Sequence, residues 1–241
     1  MTRIAVVTGN PKPNSRTHSV ARAVAGVLAA ELGGEPRRLE IDLAENAAAL
    51  FDWSDPTLSR LTEEVAGSEI AVFASPTYKA SYTGMLKAFL DRYGSNGLAG
   101  VVAVPVMTGG WPGHLLAVEV HLRPVLVELA ATVPSRGLYV TEPELADLQA
   151  PVANWAATAA PLIRAALRNL SRTDAFLHPR GSYSATGKPA ARNPAPARIC
   201  LRNSVPSRLL SPAARRALIG GNDGIACGFE KTRRRNAGRD N

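Results

Sequence analysis

At 241 residues, with 28 Lys or Arg against 20 Asp or Glu, the chain is basic overall, but the charge is unevenly spread. Residues 1–170 carry 14 basic and 16 acidic side chains, and residues 171–241 carry 14 and 4. The high isoelectric point therefore belongs to the tail, which excludes reading the whole chain as a nucleic-acid binder from its average charge. No run approaches the roughly 18 apolar residues of a membrane span, and Ile4–Val7 is too short for a signal peptide. Cys200 and Cys227 stand alone, with no second Cys or His at metal-ligand spacing. The expectation is a cytoplasmic protein without a membrane contact or a metal.

The elements follow in chain order. Arg3–Thr8 is a compact, β-branched run ending at Gly9, which suits a buried parallel strand. Val20, Val24, Val27 and Leu28 recur on one face of a helix that stops near Gly33-Gly34. Arg37–Leu43 reads as a second strand, and Asp55-Pro56 opens a short helix, with proline where a missing N–H costs nothing. Glu69–Ser75 is a third strand and Gly84–Tyr93 a helix with Met85, Leu86, Phe89 and Leu90 inward.

Val101–Met107 is a fourth strand. The longest helix is expected from His114 to about Ala131, with Leu115, Val118, Leu122, Leu126 and Leu129 on its apolar side. Pro124 should bend or locally reorganise it. Gly137–Thr141 is a fifth strand, and Trp155, Ala159, Leu162, Ile163 and Ala166 mark a closing helix. Strands alternating with helices through short links mean an α/β, doubly wound, five-stranded parallel sheet. The order 2-1-3-4-5 accounts best for ligand-type loops after the first, third and fourth strands.

From Ser171 onward Pro, Arg, Gly, Ser and Ala dominate, and only Leu209–Ile219 hints at a helix. Such a segment cannot bury enough apolar surface to offset its ordering entropy. The reading is a domain over 1–170 and a mostly disordered basic tail over 171–241.

Three loops carry the chemistry. Gly9-Asn-Pro-Lys-Pro-Asn-Ser-Arg-Thr17 ends at a helix start, where free N–H groups and the helix dipole favour an anion. Ser15 and Thr17 add hydroxyls, and Lys12 and Arg16 add charge, so a phosphate monoester is the natural guest. The plain alternative is a helix cap with a solvated basic loop. Neither GxxxxGK[ST] nor GxGxxG is present in residues 1–170, which argues against a nucleotide triphosphatase or a standard dinucleotide fold.

Pro76-Thr77-Tyr78-Lys79 emerges from a buried strand with an aromatic ring, a cation and free backbone groups, a combination that suits a flat heteroaromatic ligand. Tyr78 could equally cap the core, and Lys79 could be solvated. Thr108-Gly109-Gly110 offers backbone with no side-chain obstruction, and Trp111 beside it reads as a cover for the following helix start. His18 and His114 read as capping or surface residues, and Glu119 and Arg123 as a surface i,i+4 pair.

Together with Pro-Thr-Tyr-Lys-Ala-Ser-Tyr-Thr-Gly-Met-Leu-Lys87 and Thr108-Gly-Gly-Trp-Pro-Gly-His-Leu-Leu-Ala-Val-Glu-Val-His-Leu-Arg-Pro-Val125, the first loop resembles the NAD(P)H-dependent FMN reductases. The likeness is greatest to the reductase components of two-component alkanesulfonate-type monooxygenases and covers roughly residues 2–170. It implies a flavodoxin-like fold and hydride transfer from NAD(P)H to FMN. It assigns the FMN phosphate to Asn10, Lys12, Ser15, Arg16 and Thr17. The ribityl chain and isoalloxazine fall to Pro76, Thr77, Tyr78, Lys79, Thr108, Gly109 and Gly110. It also implies a homodimer or homotetramer and a flavin-dependent monooxygenase as partner. Asn10 stands where the family usually has Ser, and Val120-His121 where relatives often carry an interface aromatic. The rival readings are a quinone, azo or metal-ion reductase with tightly held FMN, and a flavodoxin-like electron carrier.

Overall fold

The computed structural model describes residues 2–33 and 36–177, with side chains through Leu170. Five strands form one parallel sheet in the order β2-β1-β3-β4-β5. They are β1 (Arg3–Thr8), β2 (Arg37–Asp42), β3 (Ile70–Pro76), β4 (Val102–Gly109) and β5 (Leu138–Thr141). The helices are α1 (Arg16–Leu32), α2 (Pro56–Ala66), α3 (Gly84–Leu90), α4 (Arg123–Glu128) and α5 (Gln149–Leu177).

Every residue of β3 is buried, as expected of a central parallel strand covered on both faces. Alternate side chains of each strand feed two cores. Ala5, Val7, Phe73 and Met107 pack with Leu58, Leu86, Phe89 and Leu126 on the α2–α3–α4 side. Ile4, Val6, Val72, Val104 and Val140 pack with Val20, Val24, Leu28, Trp155 and Ile163 on the α1–α5 side. Each fully buried branched or aromatic side chain contributes about 1.5–3 kcal/mol, so the sheet is held from both faces. Three helix starts are capped by side chains. Ser15, Asp55 and Thr83 accept from the backbone N–H groups of His18, Leu58 and Leu86.

Several boundaries differ from the sequence reading. β2 stops at Asp42 because its carboxylate turns back to accept from Ala44 N–H and starts a 3₁₀ segment over Leu43–Ala49. α3 stops at Leu90, three residues early. The single long helix over 114–131 is absent. A 3₁₀ turn at Pro112–His114 is followed by a π-helical turn at Val118–Leu122 and then by the short α4. Pro124 explains the break. It has no N–H to give, and its ring crowds the carbonyl four residues back. The turn widens ahead of it, and Arg123 N–H bonds Val118 O five residues away.

Leu115, expected inward, is 42% exposed. Among the described residues α5 is the longest helix, and it continues past residue 170 to Leu177. Leu162 lies outside its buried face. The rest of the tail, including Cys200, Cys227 and the helix expected over Leu209–Ile219, lies outside the described residues. Among the described residues no helix is long and apolar enough to cross a membrane, and no cluster of His, Cys, Asp or Glu could hold a metal.

Glu119 and Arg123 are not surface charges. Arg123 donates to Glu119 and to the carbonyls of Val133 and Ser135, while Glu119 accepts from Gly137 N–H at 2.6 Å. Both side chains are about three-quarters covered. The pair ties the irregular helix to the chain entering β5.

Candidate functional site

The strand order reverses between β1 and β3, and the loops after β1, β3 and β4 meet at the carboxyl edge there. The first loop leaves β1 at Gly9, whose N–H bonds Ala74 O at 2.8 Å. A Cβ on Gly9 would stand 2.4 Å from Leu86 Cβ and 3.0 Å from its backbone. Glycine is required because α3 begins directly against this turn. Thr83 secures the approach, donating its hydroxyl to Gly9 O at 2.6 Å while capping α3.

Asn10 then closes a short turn. Its Oδ1 accepts from Lys12 N–H at 2.9 Å, and its Nδ2 donates to Thr17 Oγ1 at 3.3 Å. Asn14 takes the left-handed conformation at φ 51° and gives its N–H to Asp42 Oδ2 at 2.9 Å, which ties the loop to the end of β2. Ser15 caps α1 from a nearly buried position. The first N–H groups of a helix have no partner within it, so the amides of Arg16 and Thr17 begin α1 available to an anion.

In the second loop Thr77 N–H bonds Thr108 O at 2.7 Å. Tyr78 and Ser81 exchange backbone bonds at 2.8 and 3.1 Å across Lys79 (φ 51°) and Ala80 (φ 65°). Two consecutive positive φ values make a type I′ turn. Tyr78 is half-exposed, so it does not cap the core. Ser75 Oγ accepts from Thr83 N–H and donates to Pro76 O, both at 2.9 Å, which fixes the loop's two ends together.

In the third loop Thr108 Oγ1 meets Thr17 Oγ1 at 2.8 Å. A Cβ on Gly109 would fall 2.1 Å from Tyr139 Oη and 3.3 Å from Thr77 Cβ. Tyr139 in turn donates to Trp111 O at 3.3 Å. Trp111 itself is exposed and meets the His114 ring edge-on, covering the 3₁₀ turn.

A cavity of about 360 Å³ lies between these loops. Eleven of the twelve site residues read from the sequence line it: Asn10, Lys12, Ser15, Arg16, Thr17, Pro76, Thr77, Tyr78, Thr108, Gly109 and Gly110. Lys79 does not, because it sits at the exposed tip of the type I′ turn. Asn14, Glu142 and Leu145 line the cavity without having been anticipated. The signals existed: a Pro-Asn dipeptide favours a left-handed turn, and Glu142-Pro143 follows the strand that neighbours β4.

Glu142 N–H bonds Gly109 O at 3.0 Å, and Glu142 Oε1 pairs with Arg16 Nη1 at 2.8 Å. His18, read as a cap or surface residue, is buried instead. Its Nδ1 lies 2.9 Å from Thr8 Oγ1 and its Nε2 3.9 Å from Glu40 Oε2, behind the first loop. Thr77 Oγ1 is buried without a hydrogen-bond partner in the protein.

Residues 2–144 match the family model described as NADPH-dependent FMN reductase. The chain is 30% identical over 143 residues to the NADH-dependent FMN reductase SfnF of Pseudomonas putida, covering 58% of this chain and 77% of that protein. It is 38% identical over 99 residues to the FMN reductase (NADPH) of Escherichia coli strain K12, which covers 41% of this chain. That match spans about half, 51%, of the Escherichia coli protein.

Among solved structures, the apo form of an NADH:FMN oxidoreductase (EMOB) superposes with a TM-score of 0.59 at 26% identity, over 72% of this chain and 90% of that one. An oxidoreductase from Corynebacterium diphtheriae gives 0.61 at 26% identity, over 70% and 98%. With a flavodoxin-like sheet, its loops gathered at the switch point and a family match over more than half its length, this chain belongs to the NADPH-dependent FMN reductase family.

Proposed function

We propose that this chain is an NAD(P)H-dependent FMN reductase that binds FMN reversibly in the cavity between the three loops. The observation that carries the reading is the convergence on one cavity of a loop bearing Lys12, a helix N-terminus beginning at Arg16, a half-exposed tyrosine and a glycine pair. The residues present fit FMN. The α1 amides, Ser15, Thr17, Lys12 and Arg16 suit a phosphate. Thr77 Oγ1, buried and unpartnered, suits a polar group of the ribityl chain or ring.

FMN, when bound, supplies the redox chemistry, and the protein supplies position and electrostatics. Lys12 and Arg16 would hold the anionic end. Gly109 and Gly110 would let the ring approach the chain with no side chain in the way, and Thr77 and Tyr78 would bound it from the second loop. Orientation of the two reactants is the source of the rate.

Reduced FMN passes to a flavin-dependent monooxygenase partner in the cytoplasm. Exposed Leu116, Val120 and Val127 support self-association as a homodimer or homotetramer. The reductase domain is assigned to 1–170, extended by the end of α5, with the basic tail outside it.

The test is NADPH and NADH oxidation by the full chain, with and without free FMN. Turnover that requires and saturates with FMN is the expected result. A yellow cofactor retained through purification, without turnover, would move the chain to the electron carriers.

A further inference from the structure

Glu142 is the single acidic side chain among the residues lining the cavity. Two nearby carboxylates are engaged elsewhere. Asp42 accepts from the N–H groups of Asn14 and Ala44, and Glu144 accepts from Thr141 N–H and Thr141 Oγ1. Glu142 instead reaches across the cavity mouth to Arg16, 2.8 Å away, on the first loop's side. Its backbone is fixed, because its N–H is bound to Gly109 O. One of its oxygens lies only 3.4 Å from where a Cβ on Gly110 would sit. A carboxylate is thus held between the glycine loop and a cation at the start of α1.

Resting on the flavin reading above, we infer that Glu142 is a specificity-determining residue that competes with the flavin phosphate for Arg16. A phosphate dianion that engages Arg16 must displace Glu142 or tolerate its charge nearby, and riboflavin has no phosphate with which to do either. Glu142 therefore weakens retention of FMN relative to what the same cavity would achieve without it. It also favours release, since the carboxylate returns to Arg16 as the phosphate leaves. The pair is exposed on both sides, 68% for Arg16 and 57% for Glu142, so it exchanges readily and has a modest effect. Loose holding is what a reductase that hands on its flavin needs.

The experiment is a flavin fluorescence titration of the full chain with FMN and, separately, riboflavin. It compares wild type, Glu142→Gln, Arg16→Ala and the double variant. Glu142→Gln should tighten FMN binding about fivefold and change riboflavin binding by less than twofold. In the Arg16→Ala background the same substitution should change FMN binding by less than twofold. Unchanged or weaker FMN binding by Glu142→Gln overturns the inference, as does an equal gain for riboflavin. Wild type binding FMN while the variant shows no gain overturns this inference alone. Wild type binding neither flavin overturns the flavin reading with it.

Discussion

Thr17 and Thr108, 91 residues apart in sequence, join their hydroxyl oxygens at 2.8 Å beneath the cavity. Both are buried, and Asn10 Nδ2 adds a third member by donating to Thr17 Oγ1. The contact locks the helix start of the first loop to the glycine loop. Thr108→Val keeps the shape and the strand preference but removes one partner of a buried bond. The expected loss is about 1–2 kcal/mol, a fall in Tm of roughly 2–8 °C, together with a raised KM for FMN. An unchanged Tm in calorimetry would show that the hydroxyl pair does not hold the loops together.

Gly109 has a clash with an identifiable culprit. Gly109→Ala places a methyl group 2.1 Å from Tyr139 Oη, so the tyrosine or the loop must move. Overpacking of this kind costs about 1–3 kcal/mol, and flavin affinity should fall with it. Tyr139→Phe removes the nearest atom and leaves the ring carbon at 3.0 Å. The double variant should therefore recover part of both losses in urea unfolding and flavin titration. Equal losses in the single and double variants would place the strain elsewhere.

Glu119 supplies a pH-dependent stability. Burial pushes its carboxyl pKa up, but hydrogen bonds from Arg123 and Gly137 N–H and the charges of Arg123 and Arg136 outweigh this, leaving it below the ordinary carboxylate value. A group whose folded pKa is depressed contributes stability above its unfolded pKa and loses it as pH falls through the folded one. Glu119→Gln should cost about 1–2 kcal/mol at pH 7. The gap from wild type should narrow as pH drops below the normal carboxylate range. A gap constant with pH would mean that the carboxylate charge is irrelevant.

Arg16 and Lys79 part company despite similar chemistry. Arg16 lines the cavity, while Lys79 sits outside it. Arg16→Ala should weaken FMN binding by about 1–3 kcal/mol, as for loss of a charge-assisted hydrogen bond, towards the lower end because Glu142 already engages the guanidinium. Lys79→Ala should leave the KM for FMN within twofold. A larger Lys79 effect would return that side chain to the site.

The type I′ turn carries a correctable strain. Ala80 adopts φ 65°, a region that disfavours any residue with a Cβ by roughly 1–2 kcal/mol. Glycine there relieves it but adds freedom to the unfolded chain. The net expectation for Ala80→Gly is a stabilisation of up to about 1 kcal/mol, read as a higher urea midpoint with an unchanged slope. A lower midpoint would show that the turn is held in this conformation without cost.

The sequence by itself determined the sheet and most of its edge. The apolar run before Pro76, the caps Ser15, Asp55 and Thr83, and the glycines at strand ends are local signals. Their periods and terminators specify strands and helices directly. Strand order followed from which strands end in ligand-type loops, and eleven of the twelve residues that those loops and the family resemblance singled out line the cavity.

Tertiary structure alone decided what depends on distant partners. Glu119 and Arg123 look like a helix-surface pair until the segment from Val133 to Gly137 returns its backbone groups to them. His18 looks like a cap until Thr8 and Glu40 close around it. Lys79 belongs to the right loop, but the turn sets it outside. Glu142 enters only because β5 lies beside β4. Periodicity reports the geometry of neighbours along the chain. The charge and shape of a cavity are set by side chains that meet only after the sheet has formed.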